Sequence, residues 1–168
     1  KDYGAIGDGK TLNTGFIQAA IDDCAKNGGG KVILENGVYL SGSIELRSFV
    51  EFHIAGNAML LGSPDCNDFP ERENVKHVDT KMLARARNAC LIFADECESI
   101  ALTGQGVIDC NGDKFIVLKE QCVKGWKYKR IDAPTPPRVV FFTGCKNVKV
   151  EGITMQNQPA GWSYWIHD

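Results

Sequence analysis

Histidine and cysteine are the side chains of this sequence best suited to bind metals, and their spacing argues against a metal site. His53, His77 and His167 lie far apart, and no H-E-x-x-H motif contains any of them. The seven cysteines form no C-x-x-C pair, so the usual spacing of zinc ligands is missing. Their odd number also argues against a complete set of disulfides. The sequence therefore predicts no metal and reduced thiols.

Two glycine-rich segments could bind phosphate groups, but neither has the required pattern. Residues 28–32 read GGGKV, with valine where a phosphate loop has the serine or threonine that binds Mg²⁺. Gly104 and Gly106 open a predicted strand rather than a helix and lack the third glycine of a dinucleotide site. No G-x-S-x-G motif marks a nucleophilic serine. The sequence therefore predicts no cofactor and no serine hydrolase.

An internal repeat indicates the elements that position these residues. The segment IALTG at residues 100–104 returns as VKVEG at residues 148–152, and Cys97 returns as Cys145. A third alternating segment, at residues 50–56, sets the repeat distance at about 50 residues. Short strands that recur at a fixed distance are typical of stacked coils. We therefore predict an all-β fold, a partial right-handed single-stranded parallel β-helix.

The two repeated cysteines provide a test of the coil length. If a coil takes about 24 residues, Cys97 and Cys145 lie two coils apart in one column of side chains. Small apolar fillers of the core are the expected role for such residues, and a reactive thiol is the alternative.

A helix is predicted at residues 14–27, with Thr14 as its N-cap and apolar side chains at helical spacing up to a run of three glycines. Because the first coil of a β-helix exposes unpaired strand edges, we expect this helix to cap the N-terminal end. The repeat fails at residues 62–89 and 111–137, which we interpret as loop excursions from a single domain. The second excursion is locally basic, which fits either a polyanionic ligand or a solvated surface loop.

Composition limits the possible partners. The 168 residues include 43% hydrophobic and 24% charged residues, and the net charge is −2. This balance provides no bulk attraction to nucleic acid or to a membrane surface. The apolar runs are far shorter than the roughly 20 residues that cross a bilayer, so no membrane association is expected.

Several segments together resemble polygalacturonase-type glycoside hydrolases of family 28, within the pectin-lyase-like β-helix proteins. The opening residues 2–11 and 37–44 are of the type shared by several such enzyme families. The segments GQGVIDCNG at residues 104–112 and 137–155 are more specific, as is the Asn-x-Pro segment with Trp162 that follows. The resemblance implies an enzyme that hydrolyses α-1,4-galacturonide, or a related pectic uronide, with inversion and without a cofactor. Its partner would be an acidic polysaccharide or oligogalacturonide.

The resemblance also implies where the catalytic residues lie. The family uses aspartates in an Asn-Thr-Asp motif and an Asp-Asp pair, supported by Gly-His-Gly and Arg-x-Lys. Three of these motifs do not occur here, and the one Asp-Asp pair, Asp22-Asp23, lies in the predicted helix. The catalytic residues are therefore expected beyond Asp168, and residues 1–168 alone are expected to be inactive. Trp162 and His167 are the candidate substrate-binding residues.

Other interpretations remain open at this point. Trp165 could instead pack inside a coil, with His167 simply at the surface. A non-catalytic carbohydrate-binding or adhesive β-helix would need no aspartates. A lyase would need Ca²⁺, for which the acidic loop offers Asp65, Asp68, Glu71 and Glu73. Family resemblance suggests a secreted or periplasmic protein, whereas unpaired cysteines suggest the cytoplasm. Self-association through an open last coil is also expected.

Overall fold

The computed structural model describes residues 3–72, 75, 89–122, 125–130, 138–159 and 163–167. Thirteen of its strands form three parallel sheets. Sheet 1 contains β2 (Gly30–Leu34), β5 (Val50–Ile54), β8 (Ala101–Thr103) and β13 (Lys149–Glu151). Sheet 2 contains β1 (Asp8–Leu12), β3 (Gly37–Ser41), β6 (Ala58–Gly62), β9 (Val107–Asp109) and β14 (Thr154–Gln156). Sheet 3 contains β4 (Ile44–Glu45), β7 (Cys90–Asp95), β12 (Arg138–Thr143) and β15 (Tyr164–His167).

The chain visits the three sheets in the same order on every turn, which is the winding of a right-handed parallel β-helix. The predicted fold class is therefore confirmed. Four successive coils run β2-β3-β4, β5-β6-β7, β8-β9-β12 and β13-β14-β15. Lys31 pairs with Glu51 across the first two coils, so the stretch between these two residues is the length of a coil without an excursion.

The prediction that Cys97 and Cys145 lie two coils apart is wrong. β8 pairs directly with β13, and Glu98 forms a parallel bridge with Lys146, so the two cysteines belong to adjacent coils. The error has a simple cause: the excursion at residues 111–137 falls within this single coil and lengthens it. The repeat distance between the two cysteines therefore measures one coil plus its excursion.

Because side chains alternate along each strand, the interior is filled with columns of apolar side chains. In β5, Val50, Phe52 and Ile54 are buried, whereas the two residues between them are partly exposed. The pairing places apolar side chains of successive coils above one another. The inner face of each coil is thereby buried against its neighbours. Three such columns run through the coils: Val32-Phe52-Leu102-Val150 in sheet 1, Tyr39-Leu60-Ile108-Met155 in sheet 2 and Ile44-Ile92-Val140 in sheet 3.

The single α-helix of the described residues, α1 (Thr14–Lys26), packs against the first coil and buries Ile17 and Ile21. Gln18 satisfies the free backbone edge of β4, because its side chain accepts from Glu45 N at 2.7 Å and donates to Glu45 O at 3.0 Å. The helix thus protects an edge that could otherwise pair with another chain. No helix among the described residues is long and apolar enough to cross a membrane.

The predicted N-cap is wrong. Asn13 occupies the cap position, and its side chain makes no capping bond because it bonds Ile6 and Thr11 backbone groups instead. Thr14 Oγ1 accepts from Gly42 N at 2.7 Å, which ties the helix to the turn after β3.

Both excursions leave the solenoid at the same corner. One connects β6 to β7 and the other connects β9 to β12, so each departs from sheet 2 and returns to sheet 3. The second is not simply a loop, because it contains an antiparallel pair, β10 (Ile116–Cys122) and β11 (Gly125–Arg130). This hairpin forms a separate two-stranded sheet.

Glycine is required at one turn where successive coils touch. Gly104 has φ of +116°, and a Cβ there would collide with the carbonyl oxygen of Ile54 in the coil before. Gly152, one coil later, has φ of +80°, and a Cβ at this position would collide with the carbonyl oxygen of Gly104. The repeated glycine of the sequence is therefore a consequence of close stacking.

Candidate functional site

The outward side of sheet 3 carries a ladder of three aromatic rings, one from each of three coils. Phe93, Phe141 and Trp165 are paired in register, on the side of their strands opposite to the core residues Val140 and Phe142. The ring centroids are 5.6 Å apart between Phe93 and Phe141, and 4.6 Å apart between Phe141 and Trp165. All three rings are buried. Trp165 is therefore packed outside the coil, not inside it.

Two arginines lie over this ladder. The guanidinium of Arg72 is 3.9 Å from the centroid of Phe93, and that of Arg138 is 4.3 Å from the centroid of Trp165. Arg72 also donates to Ser43 Oγ at 2.7 Å, and this bond anchors the first excursion across the sheet. Cation–π contacts of this kind stabilise a guanidinium group against an aromatic ring, so the two arginines hold the ladder from outside.

A polar ladder follows the aromatic one along the same strands. Asp95, Thr143 and His167 are paired in register, two residues after the respective aromatic residues. Thr143 is fully buried, and its Oγ1 makes no hydrogen bond to any residue that the structure describes. The buried Nδ1 atom of His167 likewise has no partner within the described ranges.

The outward side of sheet 1 has a different chemistry. Thr103 Oγ1 donates to Glu51 Oε1 at 2.6 Å, and His53 Nδ1 lies 2.8 Å from the same hydroxyl. Lys31 Nζ is 2.9 Å from Glu51 Oε1. The Thr103 hydroxyl, followed by Lys31, lowers the pKa of Glu51. Because the hydroxyl proton points to Glu51, His53 must donate to Thr103, so this group is not an activated nucleophile.

The candidate site residues of the sequence have different outcomes. Trp162 lies outside the described residues, so its role stays a prediction. His167 is half-buried on the outward side of sheet 3, beside the aromatic ladder. Sequence reasoning missed Phe93 and Phe141, although their separation along the chain equals that of the two repeated cysteines. The repeat distance was therefore the signal that could have found them.

Metal ligands do not assemble in the part of the chain that the structure describes, where no group of three His, Cys, Asp or Glu side chains could hold an ion. Two residues of the acidic loop are engaged locally. Asp65 Oδ1 accepts from Asn67 N at 2.9 Å, and Asp68 Oδ2 accepts from Ser63 Oγ. Both carboxylates therefore stabilise the conformation of the loop itself.

A cavity of about 380 Å³ lies between α1 and β2. Its lining is mostly apolar and includes Tyr3, Phe16 and Val32, together with Lys31 and Glu35. It lies at the end of the solenoid that the helix covers, away from the outward side of sheet 3.

The chain is similar to known carbohydrate-active proteins. A model described as "Glycosyl hydrolases family 28" matches residues 69–162. An exo-poly-alpha-D-galacturonosidase of Dickeya chrysanthemi is 35% identical over 67% of this chain and 19% of its own length. A Vitis vinifera protein named "Probable polygalacturonase" is 29% identical over 95% of this chain and 32% of its own length. The chain thus spans between a fifth and a third of these relatives.

A solved structure shows the same similarity in three dimensions. The family 28 exopolygalacturonase of Yersinia enterocolitica superposes with a TM-score of 0.70 at 26% identity. The superposition covers 94% of this chain and 34% of that chain.

Proposed function

This chain belongs to glycosyl hydrolases family 28, and we propose that the protein to which these 168 residues belong hydrolyses α-1,4-galacturonide linkages of pectin. The family match over residues 69–162 is the observation that carries the proposal. The relatives named for action on polygalacturonate support the same substrate class.

The chemistry of sheet 3 fits a polyuronide. Arg72 and Arg138 lie on its outward side near the corner where both excursions return, and His167 lies at the other end of the same strands. The two guanidinium groups at such a surface can meet the carboxylates of a uronide even though the net charge of the whole chain is −2. Polar groups in register, one for each coil, match a ligand whose hydroxyls also repeat.

We assign the reaction to the inverting class. One carboxylic acid would protonate the leaving oxygen while a carboxylate base activates water, with the two groups roughly 6.5–9.5 Å apart. A general acid needs a raised pKa, whereas the pKa of Glu51 is lowered. Asp22 and Asp23 lie in α1 at the covered end. Because the family's first catalytic motif follows the Asn-x-Pro segment with Trp162, we propose that the acid and base lie beyond Asp168.

The activity is tested with the full-length protein and polygalacturonate. We expect release of reducing ends without absorbance from an unsaturated product, and NMR should show inverted configuration in the first product. An unsaturated product would indicate a lyase instead. Binding without any bond cleavage would indicate the non-catalytic interpretation.

The binding role of His167 is tested by H167Q in the full-length enzyme. We expect KM for polygalacturonate to rise about tenfold with a smaller change in kcat, because a group that binds ground and transition states alike acts on KM. H53Q is the matched control, since His53 lies on the outward side of sheet 1. Equal effects of the two variants would contradict the assignment.

We further propose that the enzyme acts from the chain end. Arg72 bonds Ser43 and covers Phe93, and Val75 packs with the aromatic ladder, so these two residues of the first excursion lie on the outward side of sheet 3. A polymer laid along this face would meet that excursion at the N-terminal side. Chromatography of early products should therefore show mono- or digalacturonate, whereas a broad ladder of oligomers would contradict exo action.

A further inference from the structure

Cys97 and Cys145 occupy equivalent positions in adjacent coils, directly before a parallel bridge between Glu98 and Lys146. Lys146 N donates to Cys97 O at 2.9 Å, which fixes the register of the two turns. Neighbouring strands lie about 4.8 Å apart. That spacing falls within the range of roughly 4.4–6.8 Å between the Cα atoms of disulfide-bonded cysteines.

The two thiols also point in the same direction. Cys97 Sγ lies 3.3 Å from the carbonyl oxygen of Asp95, and Cys145 Sγ lies 3.3 Å from that of Thr143. Each sulfur thus contacts the carbonyl two residues before it. The backbone register and the side-chain direction repeat, and the two thiols share a hydrogen bond, although Cys97 Sγ also lies 3.5 Å from the carbonyl oxygen of Leu46 in the coil before.

Their environments give the two thiols different roles. The hydrogen bond between the two thiols lowers the pKa of Cys145 and raises that of Cys97, whereas burial raises the pKa of both Cys90 and Cys110 to about 12. Cys145 is also half-buried, whereas Cys97 is 8% exposed. A small reagent therefore reaches Cys145 first, and the thiolate is the reactive form of cysteine.

We propose that Cys97 and Cys145 form an oxidation site that reacts with low-molecular-weight disulfides such as glutathione disulfide. The Cys145 thiolate attacks one sulfur of the reagent and releases a glutathione thiolate, which leaves a mixed disulfide on Cys145. Cys97 loses its proton to solvent, attacks the Cys145 sulfur and releases the second glutathione. The two protein thiols lose two electrons, and the reagent is reduced to two glutathione molecules.

The product is a covalent link between the β7–β8 turn and the β12–β13 turn. It closes a loop that contains β8, β9, the whole second excursion and β12. A cross-link over a loop of this length restricts the unfolded chain strongly. The oxidation site therefore couples the redox state to the stability of the coils beneath the candidate substrate face, and it does not depend on the proposed hydrolase activity.

The test compares protein treated with glutathione disulfide and with dithiothreitol. After alkylation of the remaining thiols, peptide mapping should find Cys97 joined to Cys145, with a mass lower by two hydrogens. The oxidised form should melt about 5–10 °C higher. In C97S the reaction should stop at the glutathione adduct of Cys145, and C145S should form neither product. C110S, which removes a buried thiol, should behave like the parent protein.

Two results would overturn the proposal: a cross-link that joins other cysteines, or C97S and C145S that both react as the parent does. Should a serine variant fail to fold, alkylation of the parent protein by iodoacetamide still tests the proposal. Cys145 must then react before Cys90 and Cys110, with a rate that begins to rise at a lower pH than theirs.

Discussion

The outward sides of sheet 1 and sheet 3 are built from strands with the same alternation, but they have opposite characters. On sheet 3 the outward residues are a buried aromatic ladder below two arginines. On sheet 1 they form a partly exposed network of Lys31, Glu51, His53 and Thr103. The difference lies in what covers them, since Arg72 and Val75 of the first excursion pack on the outward side of sheet 3.

The comparison shows that a solenoid strand does not determine by itself whether its outer residue is structural. An outward Phe141 has 0% exposure because neighbouring coils and the first excursion enclose it. An outward Ile33, on sheet 1, is 50% exposed. Sheet 3 thus has a hydrophobic layer on both sides, and sheet 1 has one on its inner side.

Replacement of the central ring should produce the largest difference between the two sides. Phe141→Ala removes a fully buried ring that contacts both Phe93 and Trp165, and it should lower the free energy of unfolding by about 3–5 kcal/mol. Ile33→Ala is the matched control and should cost less than about 1 kcal/mol, because the side chain already contacts water. Urea denaturation of both variants measures the difference. Similar losses would contradict the distinction between the two sides.

Removal of the central hydroxyl on sheet 1 should have a smaller effect. Thr103→Val keeps the shape of the side chain but deletes its hydrogen bonds to Glu51 and His53, which should cost about 1 kcal/mol. The pKa of Glu51 should rise towards its ordinary value, since the largest cause of its shift is gone. NMR titration of the Glu51 carboxyl checks this, and an unchanged pKa would show that Thr103 is not the cause.

Acid should weaken the sheet 1 network in a defined direction. The folded pKa of Glu51 lies below its unfolded value of about 4.5, so its stabilisation is complete above that pH and is lost as the pH falls through the folded pKa. The slope of stability against pH below about 4.5 should therefore be less steep in Thr103→Val than in the parent. Equal slopes would assign the acid sensitivity to other carboxyl groups.

The smallest effect is expected where sheet 1 is most exposed. Lys149 and Glu151 form an ion pair on β13 in which both side chains are more than 60% exposed. Because such pairs are screened by solvent and salt, Lys149→Ala should leave the melting temperature unchanged within error. A measurable loss would mean that this edge contributes more than its exposure indicates.

The winding of the chain could be predicted because its cause is local and periodic. Alternation at residues 50–56, 100–104 and 148–152 recurs with a turn glycine, and stacking requires both features. The coil length could not be derived in the same way. An excursion inside a coil adds to the repeat distance without changing the pairing, so the spacing of Cys97 and Cys145 predicts two coils where the structure has one.

The candidate site was less accessible from sequence. His167 could be singled out as a histidine, but its neighbours Thr143 and Asp95 are ordinary polar residues until the register aligns them. The positions of the two arginines are harder still to predict, because Arg72 contacts Phe93 from a segment that does not follow the repeat. Position along an excursion is set by tertiary packing, for which no periodicity exists. Self-association through the last coil stays a prediction.

At the shared corner between sheet 2 and sheet 3, the two excursions connect to the stacked strands of the β-helix. Either excursion can be lengthened or shortened without a shift of strand register, because Lys31 and Glu51 already stack across a coil that has no excursion at all. For protein engineers, this corner is therefore the natural grafting point for new recognition loops. Changes in the corner between sheet 1 and sheet 2 would disturb the stacked Gly104 and Gly152, and grafts at the shared corner should keep Gly42 and Gly112, which stack there in the same way.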